Sequence, residues 1–113
     1  MYYVDSGPKA TISAFDYDLD TGALSNKRVF AEDTFGDEGT FDGLCMDAKG
    51  AVWVARWKSS RVVKYEEDGS IGCEIRFPKA QNITCTIWGG ESRPHLAMSL
   101  MQSARPRWTR RLT

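Results

Sequence analysis

Hydrophobic residues fall in nine short runs, each rich in Val, Ile, Tyr, Phe or Trp and closed by a turn-forming Gly, Asp, Asn or Pro. None of these runs sustains the 3.6-residue period of an amphipathic helix, and their length is that of β-strands. We therefore predict an all-β fold. The predicted strands are 2–4, 11–17, 27–31, 43–47, 52–56, 61–65, 72–77, 84–88 and a less regular one at 96–99.

The runs repeat along the chain, and the repeat indicates the architecture. The first alignment has an offset of fifty residues and pairs Tyr2–Val4 with Val52–Val54, Ile12 with Val62, and Phe15 with Tyr65. A looser echo relates the run at 43–47 to the run at 84–88. A period of about 40 to 50 residues that holds four short strands is typical of one blade of a β-propeller.

Counted against that period, the chain holds about two and a half blades. A partial blade comes first, a full blade spans 42–77, and another blade opens after residue 84. The alternative is a small sandwich of eight or nine strands that happens to repeat. Isolated blades leave sheet edges unpaired, so we expect self-association through open edges or dependence on a further segment.

Charge is unevenly placed, although the formal net charge is zero. All 15 acidic residues lie at or before Glu91, whereas residues 102–113 contain four arginines and no acid. An acidic body argues against nucleic acid as a partner, because phosphate binding needs a basic face. We predict that residues 102–113 form a basic, disordered tail.

Cysteine usage and hydropathy point to a reducing, aqueous compartment. Cys45, Cys73 and Cys85 are odd in number and have no C-x-x-C spacing, so they suggest neither a disulfide framework nor a zinc site. We expect buried free thiols. The sequence shows no signal peptide and no long apolar run, so we predict a cytoplasmic protein with no membrane partner.

An ordered succession of motifs runs from residue 2 to about residue 100. The motifs are Tyr3-Val4-Asp5-Ser6, Ile12–Asp18 with Thr21-Gly22, Arg28-Val29-Phe30, Phe41–Gly50, Val52–Ala55, Gly69, Phe77-Pro78 and Thr84–Gly90. Together they resemble the second half of a propeller of the senescence marker protein (regucalcin) and gluconolactonase family. Each motif alone is weak, but their order is specific.

The resemblance implies a six-bladed propeller that holds one divalent cation, calcium or zinc, at one end of its central channel and hydrolyses sugar-acid lactones. It also implies three metal ligands: a Glu, an Asn, and an Asp that is the general base as well. Only the Asp has a counterpart here, Asp42 in Phe41-Asp42-Gly43, with Phe41 where the family has Pro. On the residues alone, Asp-Gly is a common turn, although a carboxylate at a channel mouth also suits a hard cation.

The same resemblance places two further residues near the channel mouth. In the family, the segment after the Trp-Val-Ala strand points there, and here that segment begins with Arg56 and Trp57. Both are candidates for lining a substrate pocket.

Residues 1–101 are thus predicted to form an incomplete regucalcin- and gluconolactonase-like propeller, and the altered pattern after Leu96 suggests truncation or a shifted reading frame. The first functional hypothesis is a piece of a metal-dependent lactonase that lacks two of the three family ligands and is inactive alone. The second is a non-catalytic propeller fragment that acts through self-association or a partner chain. A third is a chain with no function of its own.

Overall fold

The computed structural model describes residues 1–7, 9–89 and 95–100. These residues form nine β-strands and no helix, as the hydrophobic pattern predicts, and therefore no helix that could cross a membrane. The strands are β1 Tyr2–Asp5, β2 Thr11–Tyr17, β3 Leu24–Glu32, β4 Thr40–Met46, β5 Val52–Trp57, β6 Arg61–Tyr65, β7 Ile71–Arg76, β8 Ile83–Gly89 and β9 His95–Leu100.

The strands form three antiparallel sheets that follow one another along the chain. The first sheet has the order β1-β2-β3, the second β4-β5-β6-β7 and the third β8-β9. The predicted sequence of a partial blade, a full blade and the opening of a further blade is confirmed, and the fold is a partial propeller. The predicted tail, 102–113, lies outside the described residues.

Tight Asp-Gly turns join strands within the sheets, as the β4–β5 turn illustrates. Oδ1 of Asp47 accepts hydrogen bonds from the backbone N–H groups of Lys49 at 2.9 Å and Ala51 at 3.0 Å. Gly50 has a φ of 85°, a left-handed conformation that glycine adopts without steric cost. Oδ2 of Asp47 also accepts from the indole N–H of Trp53 at 2.9 Å, so the turn is tied to the strand that follows it.

The larger hydrophobic core lies between the first and second sheets. Ile12 of the first sheet is fully buried with Val54 and Val63 of the second. Phe41 and Tyr65 meet edge to face, with ring centroids 5.9 Å apart, inside this core. Burial of apolar side chains from both sheets is the main force that holds the two blades together.

A smaller core joins the second and third sheets. Ala55, Val62 and Ile83 are fully buried there. Across the same interface, the Trp53 and Trp88 rings pack edge to face with centroids 5.9 Å apart. Thus the second sheet is covered on both faces, one by each neighbouring sheet.

Strand pairing corrects part of the predicted repeat alignment. Val4 pairs with Ile12 in the first sheet, whereas Val62 pairs with Ala55 in the second. Ile12 therefore does correspond to Val62, but Val4 corresponds to Ala55, one residue later than the alignment of 2–4 with 52–54. The offset changes because Ile12 comes eight positions after its partner Val4, whereas Val62 comes seven positions after its partner Ala55, a difference that hydrophobic spacing does not reveal.

The predicted burial of the cysteines is also wrong in part. All three are free, but Cys73 and Cys85 are exposed, and only Cys45 is partly buried. Cys73 lies on β7, the outermost strand of the second sheet. Outer strands bury less surface than inner ones, so an apolar residue type there need not be in the core.

Candidate functional site

Asp42 lies in β4, the strand at one edge of the second sheet, at a bulge that interrupts pairing with β5 between Phe41 and Leu44. Such a bulge takes residues out of the regular ladder and re-aims their side chains. The Asp42 side chain is partly buried, and this burial raises the pKa of its carboxyl group, opposed by a hydrogen bond from the backbone of Gly43. It is therefore a stronger proton acceptor than an exposed aspartate.

Gly43, beside Asp42, lies where the backbone of the second sheet comes close to the backbone of the third. A Cβ atom at this position would lie 2.7 Å from the carbonyl oxygen of Thr84 and 2.9 Å from Cα of Cys85. Both distances are shorter than carbon side chains allow, so only glycine fits. Gly43 is thus part of the contact between two blades. Together with Asp42 it also forms the bulge within β4.

Arg56 on β5 is fully buried, although it is a charged residue. Its Nη2 donates a hydrogen bond to Oδ1 of Asp37 at 2.7 Å, and its Nη1 lies 2.7 Å from Oδ2 of Asp33 without hydrogen-bond geometry. The guanidinium also stacks over the rings of Phe35, 4.4 Å from the centroid, and Phe41, 5.4 Å away. Arg56 therefore holds the loop between β3 and β4, which leads into Asp42.

Trp57 follows Arg56 at the end of β5 and pairs with Thr40. Its side chain is partly buried, and the Lys58 ammonium group lies 5.0 Å from the ring centroid. Lys58 and Ser60 both have positive φ angles, 62° and 52°, so the loop after Trp57 is tightly bent. Trp57 therefore lies beside the start of β4 and keeps part of its surface exposed.

An open groove of about 880 Å³ lies at the same end of the first two sheets. Residues of the loop after β1, including Lys9, form one wall, and residues 32–40 form the other. Asp33 and Asp37, the partners of Arg56, are among its lining residues, whereas Asp42, Arg56 and Trp57 are not. The structure thus separates the three predicted site residues from this groove.

Sequence comparison relates the whole described part of the chain to one family. Residues 1–102 match the family model described as "SMP-30/Gluconolactonase/LRE-like region". The chain belongs to this family. The resemblance seen in the sequence motifs is therefore confirmed at the level of the family.

Relatives and solved structures of family members agree with this assignment. The chain is 39% identical over 92 residues to regucalcin of Danio rerio, a match that covers 80% of this chain and 30% of the relative. Regucalcin of Xenopus laevis is 31% identical and matches 98% of this chain and 37% of its own length. The chain thus spans about a third of these relatives.

The fold of the chain is also that of family members. A luciferin-regenerating enzyme has a TM-score of 0.72 at 29% identity, covering 80% of this chain and 30% of its own. A regucalcin from Agrobacterium tumefaciens, described as a calcium-binding protein, has a TM-score of 0.70 at 26% identity, covering 85% of this chain and 35% of its own.

The divalent cation implied by the family does not fit the described residues alone. Among residues 1–7, 9–89 and 95–100, no group of three or more His, Cys, Asp or Glu side chains is placed to hold a metal ion. Asp42 supplies a single carboxylate, whereas calcium takes six to eight oxygen ligands and zinc usually three or four protein ligands. A metal centre would need donors from outside the described residues.

The polar cluster around Arg56 was not predicted from sequence. The partners of Arg56, Asp33 and Asp37, lie in a Gly-rich acidic loop that reads as a solvated turn. A usable signal was present, because Arg56 directly follows four apolar strand residues, Val52–Ala55. A cation at the end of a buried strand requires a counter-charge, although the strand itself does not specify which acidic residues supply it.

Proposed function

We propose that this chain is one part of a divalent-metal-dependent lactone hydrolase of the SMP-30/gluconolactonase family, acting on a sugar-acid lactone, and that it is inactive alone. Its proposed contribution is Asp42, as one metal ligand and as the general base. The observation that carries this proposal is the partly buried Asp42 carboxylate at the β4 bulge, with a raised pKa. A raised pKa suits a proton acceptor near neutral pH.

Arg56 and Trp57 take different roles in this proposal. Arg56 has no exposed surface and two carboxylate partners, so we assign it to positioning the loop before Asp42. Trp57 keeps partial exposure at the same end of the sheet and is proposed as a wall of the substrate pocket. The protein is proposed to work in the cytoplasm, a reducing compartment that suits its three free cysteines. It is also proposed to have no nucleic-acid or membrane partner.

Lactone hydrolysis and titration with calcium and zinc would test this proposal on the purified 113-residue chain, with Asp42→Ala as the variant. Asp20→Ala is the matched control, because Asp20 is exposed at the tip of a turn in the first sheet. We expect no turnover, and any weak metal binding should fall in the Asp42 variant only. Metal-dependent turnover by the wild-type chain that survives in Asp42→Ala would refute both the inactivity and the role of Asp42.

The second candidate function is a non-catalytic fragment that acts through self-association. It is favoured by exposed apolar side chains on the first and third sheets, including Tyr3 at 56% and Ile87 at 63% exposure. Exposed apolar residues on otherwise regular sheets are typical of binding surfaces. Measurement of the mass of the chain in solution tests this candidate.

A further inference from the structure

A pair of thiols lies where β4 of the second sheet meets β8 of the third. Cys45 is on β4, Cys85 is on β8, and both are free. We call the line along which these two strands meet the β4–β8 seam. A covalent bond across the seam would link two blades that packing and hydrogen bonds already hold together.

Hydrogen bonds fix how the two strands face each other along the seam. The Thr86 hydroxyl donates to the carbonyl oxygen of Trp53 at 2.9 Å. Further along β8, the Trp88 indole N–H donates to the carbonyl oxygen of Met46 at 3.0 Å. The residue just before Thr86 and the residue just before Met46 are therefore held beside the facing strand. These two residues are the cysteines of the seam.

The Cys85 side chain is directed at β4. Its Sγ atom lies 3.0 Å from the place that a Cβ atom of Gly43 would take, and its Cα atom lies 2.9 Å from the same point. A Cβ atom is about 1.5 Å from its own Cα atom, so the Cα atoms of Gly43 and Cys85 are at most about 4.4 Å apart. Disulfides join residues whose Cα atoms are about 4.4–6.8 Å apart. The backbones of β4 and β8 thus come within disulfide range on the seam, two positions before Cys45.

The Cys45 side chain is directed at β8. Cys45 pairs with Trp53, and residues paired across two strands carry their side chains on the same face. That face meets the third sheet, because the Trp53 ring packs edge to face on Trp88. Burial raises the pKa of the Cys45 thiol, a hydrogen bond with Thr86 opposes this shift, and the charge of Cys85 adds to it. The two sulfur atoms are therefore close enough to interact.

We propose that Cys45 and Cys85 form a reversible disulfide across the β4–β8 seam by exchange with a small disulfide such as oxidised glutathione. In the first step, the thiolate of Cys85 attacks the small disulfide, so that one small thiol leaves and a mixed disulfide remains. In the second step, the thiolate of Cys45 attacks the sulfur of Cys85 and releases the second small thiol. One protein S–S bond forms, one small S–S bond breaks, and the two protons of the protein thiols end on the two released thiols.

Exposure sets the order of these steps. Cys85 is exposed, whereas Cys45 is partly buried, so the small disulfide reaches Cys85 first. In a reducing compartment the pair stays as two thiols, and the bond forms when the ratio of small disulfide to small thiol rises. The bond would fix the spacing of β4 and β8 near Asp42. The inference goes beyond the proposed lactone hydrolysis and does not rest on it.

The experiment incubates the full 113-residue chain with oxidised and reduced glutathione at a series of ratios, alkylates the remaining thiols and measures the intact mass and the linked peptides. The wild type is expected to lose two alkylation sites and to yield one peptide pair, joined through Cys45 and Cys85. At about 1 mM reduced glutathione, cross-linked chains should exceed chains with glutathione on Cys85 by about tenfold, because a neighbouring thiol acts at a higher effective concentration.

Three variants sharpen the result. Cys73→Ser is the matched control, because Cys73 lies on β7 at the opposite edge of the second sheet, and this variant should cross-link as the wild type does. Cys45→Ser should stop at the mixed disulfide on Cys85, since the second attacking thiol is missing. Cys85→Ser should leave Cys45 unmodified at the same ratios.

The wild-type chain unfolded in urea provides the control for chance pairing. Without the fold, all three cysteines should exchange, and pairings that include Cys73 should appear. The folded chain should give the Cys45–Cys85 bond alone.

Two results would overturn the proposal. A mixed disulfide that persists on Cys85 in the folded wild type would show that Cys45 does not reach it. The same set of pairings in the folded and unfolded chains, or bonds between separate chains, would show that the seam does not direct the bond. Neither result involves metal binding or lactone hydrolysis, so the proposed function is tested separately.

Discussion

The first and second sheets are built from the same repeat, but they hold their charged residues in different ways. In the first sheet, Arg28 and Asp16 form an ion pair at 3.0 Å with side chains 50% and 58% exposed. In the second sheet, Arg56 pairs with Asp37 at 2.7 Å, with side chains 0% and 33% exposed. The repeat sets the strand order in both sheets. The number of neighbouring blades sets how deeply an arginine–aspartate ion pair is buried.

The two ion pairs should therefore differ in their contribution to stability. Water screens the exposed pair, and pairs of this kind contribute little. The buried guanidinium has lost its hydration and depends on Asp33, Asp37 and the two phenylalanine rings for compensation. Removing one partner of such a group leaves the others buried without compensation.

The largest predicted effect follows from this contrast. Arg56→Ala should lower the free energy of unfolding by about 3 kcal/mol, because Asp33 and Asp37 would keep their partly buried charges without a counter-ion. Chemical denaturation followed by tryptophan fluorescence measures the change. Arg28→Ala, which removes the exposed ion pair of the first sheet, should leave the unfolding midpoint nearly unchanged. Equal losses in the two variants would contradict the comparison.

The second prediction concerns a hydroxyl group that one repeat has and the other lacks. Phe15 in the first sheet corresponds to Tyr65 in the second, whose hydroxyl is buried without a hydrogen-bond partner among the described residues. Burial raises the pKa of Tyr65 to about 12. Tyr65→Phe should stabilise the protein at pH 7 by about 0.5–1 kcal/mol, because it removes an unsatisfied buried polar group.

The same variant should change the response to alkaline pH. The raised pKa means that the folded state keeps the Tyr65 proton, while the unfolded state loses it above pH 10. The wild type should therefore lose about 2–3 kcal/mol relative to Tyr65→Phe as the pH rises from 10 to 12. Parallel stability curves for the two proteins over this range would show that the Tyr65 hydroxyl is solvated.

The smallest predicted effect compares two aspartates whose pKa values shift in opposite directions. Burial raises the pKa of Asp42. Its stabilising contribution to the free energy of unfolding is therefore present below the unfolded-state pKa of 3.8 and is lost as the pH rises through the folded-state pKa. Asp42→Asn should therefore be about 0.5 kcal/mol more stable than the wild type at pH 7, and the two should converge in acid. Thermal unfolding at several pH values measures this difference.

Asp16 in the first sheet provides the control with the opposite sign. Hydrogen bonds from Asn26 and Arg28 lower the pKa of Asp16. Its stabilising contribution to the free energy of unfolding is therefore present at neutral pH and is lost in acid. Asp16→Asn should be slightly less stable than the wild type at pH 7. A destabilised Asp42→Asn at pH 7 would mean that the Asp42 carboxylate has a partner that offsets its burial.

The strands could be predicted from the sequence because each depends on a local pattern. All nine predicted runs overlap a strand, and the errors are of one to three residues at the ends, as at the start of β4. The pairing of Val4 with Ile12 and of Ala55 with Val62 could not be derived in the same way. Register depends on loop length and on which face each neighbouring blade covers, and both are non-local.

The site was less predictable than the strands for a related reason. Asp42 could be selected by its resemblance to a family motif, but its burial depends on how β4 meets its neighbours. Arg56 was selected for its sequence position, and the structure instead shows it locked between two aspartates and two phenylalanines. No pattern along β5 specifies partners that lie about twenty residues earlier in the chain.

The missing side chain at Gly43 also constrains how this protein can change over evolutionary time. With the carbonyl oxygen of Thr84 only 2.7 Å from the place of a Cβ atom, even alanine would act as a wedge between the second and third blades. The two hydrophobic cores could absorb gradual substitution, since their side chains can repack. No substitution at Gly43 is small enough to be tolerated, because every other residue has a Cβ atom. A single mutation at this position would therefore change the spacing between the two blades.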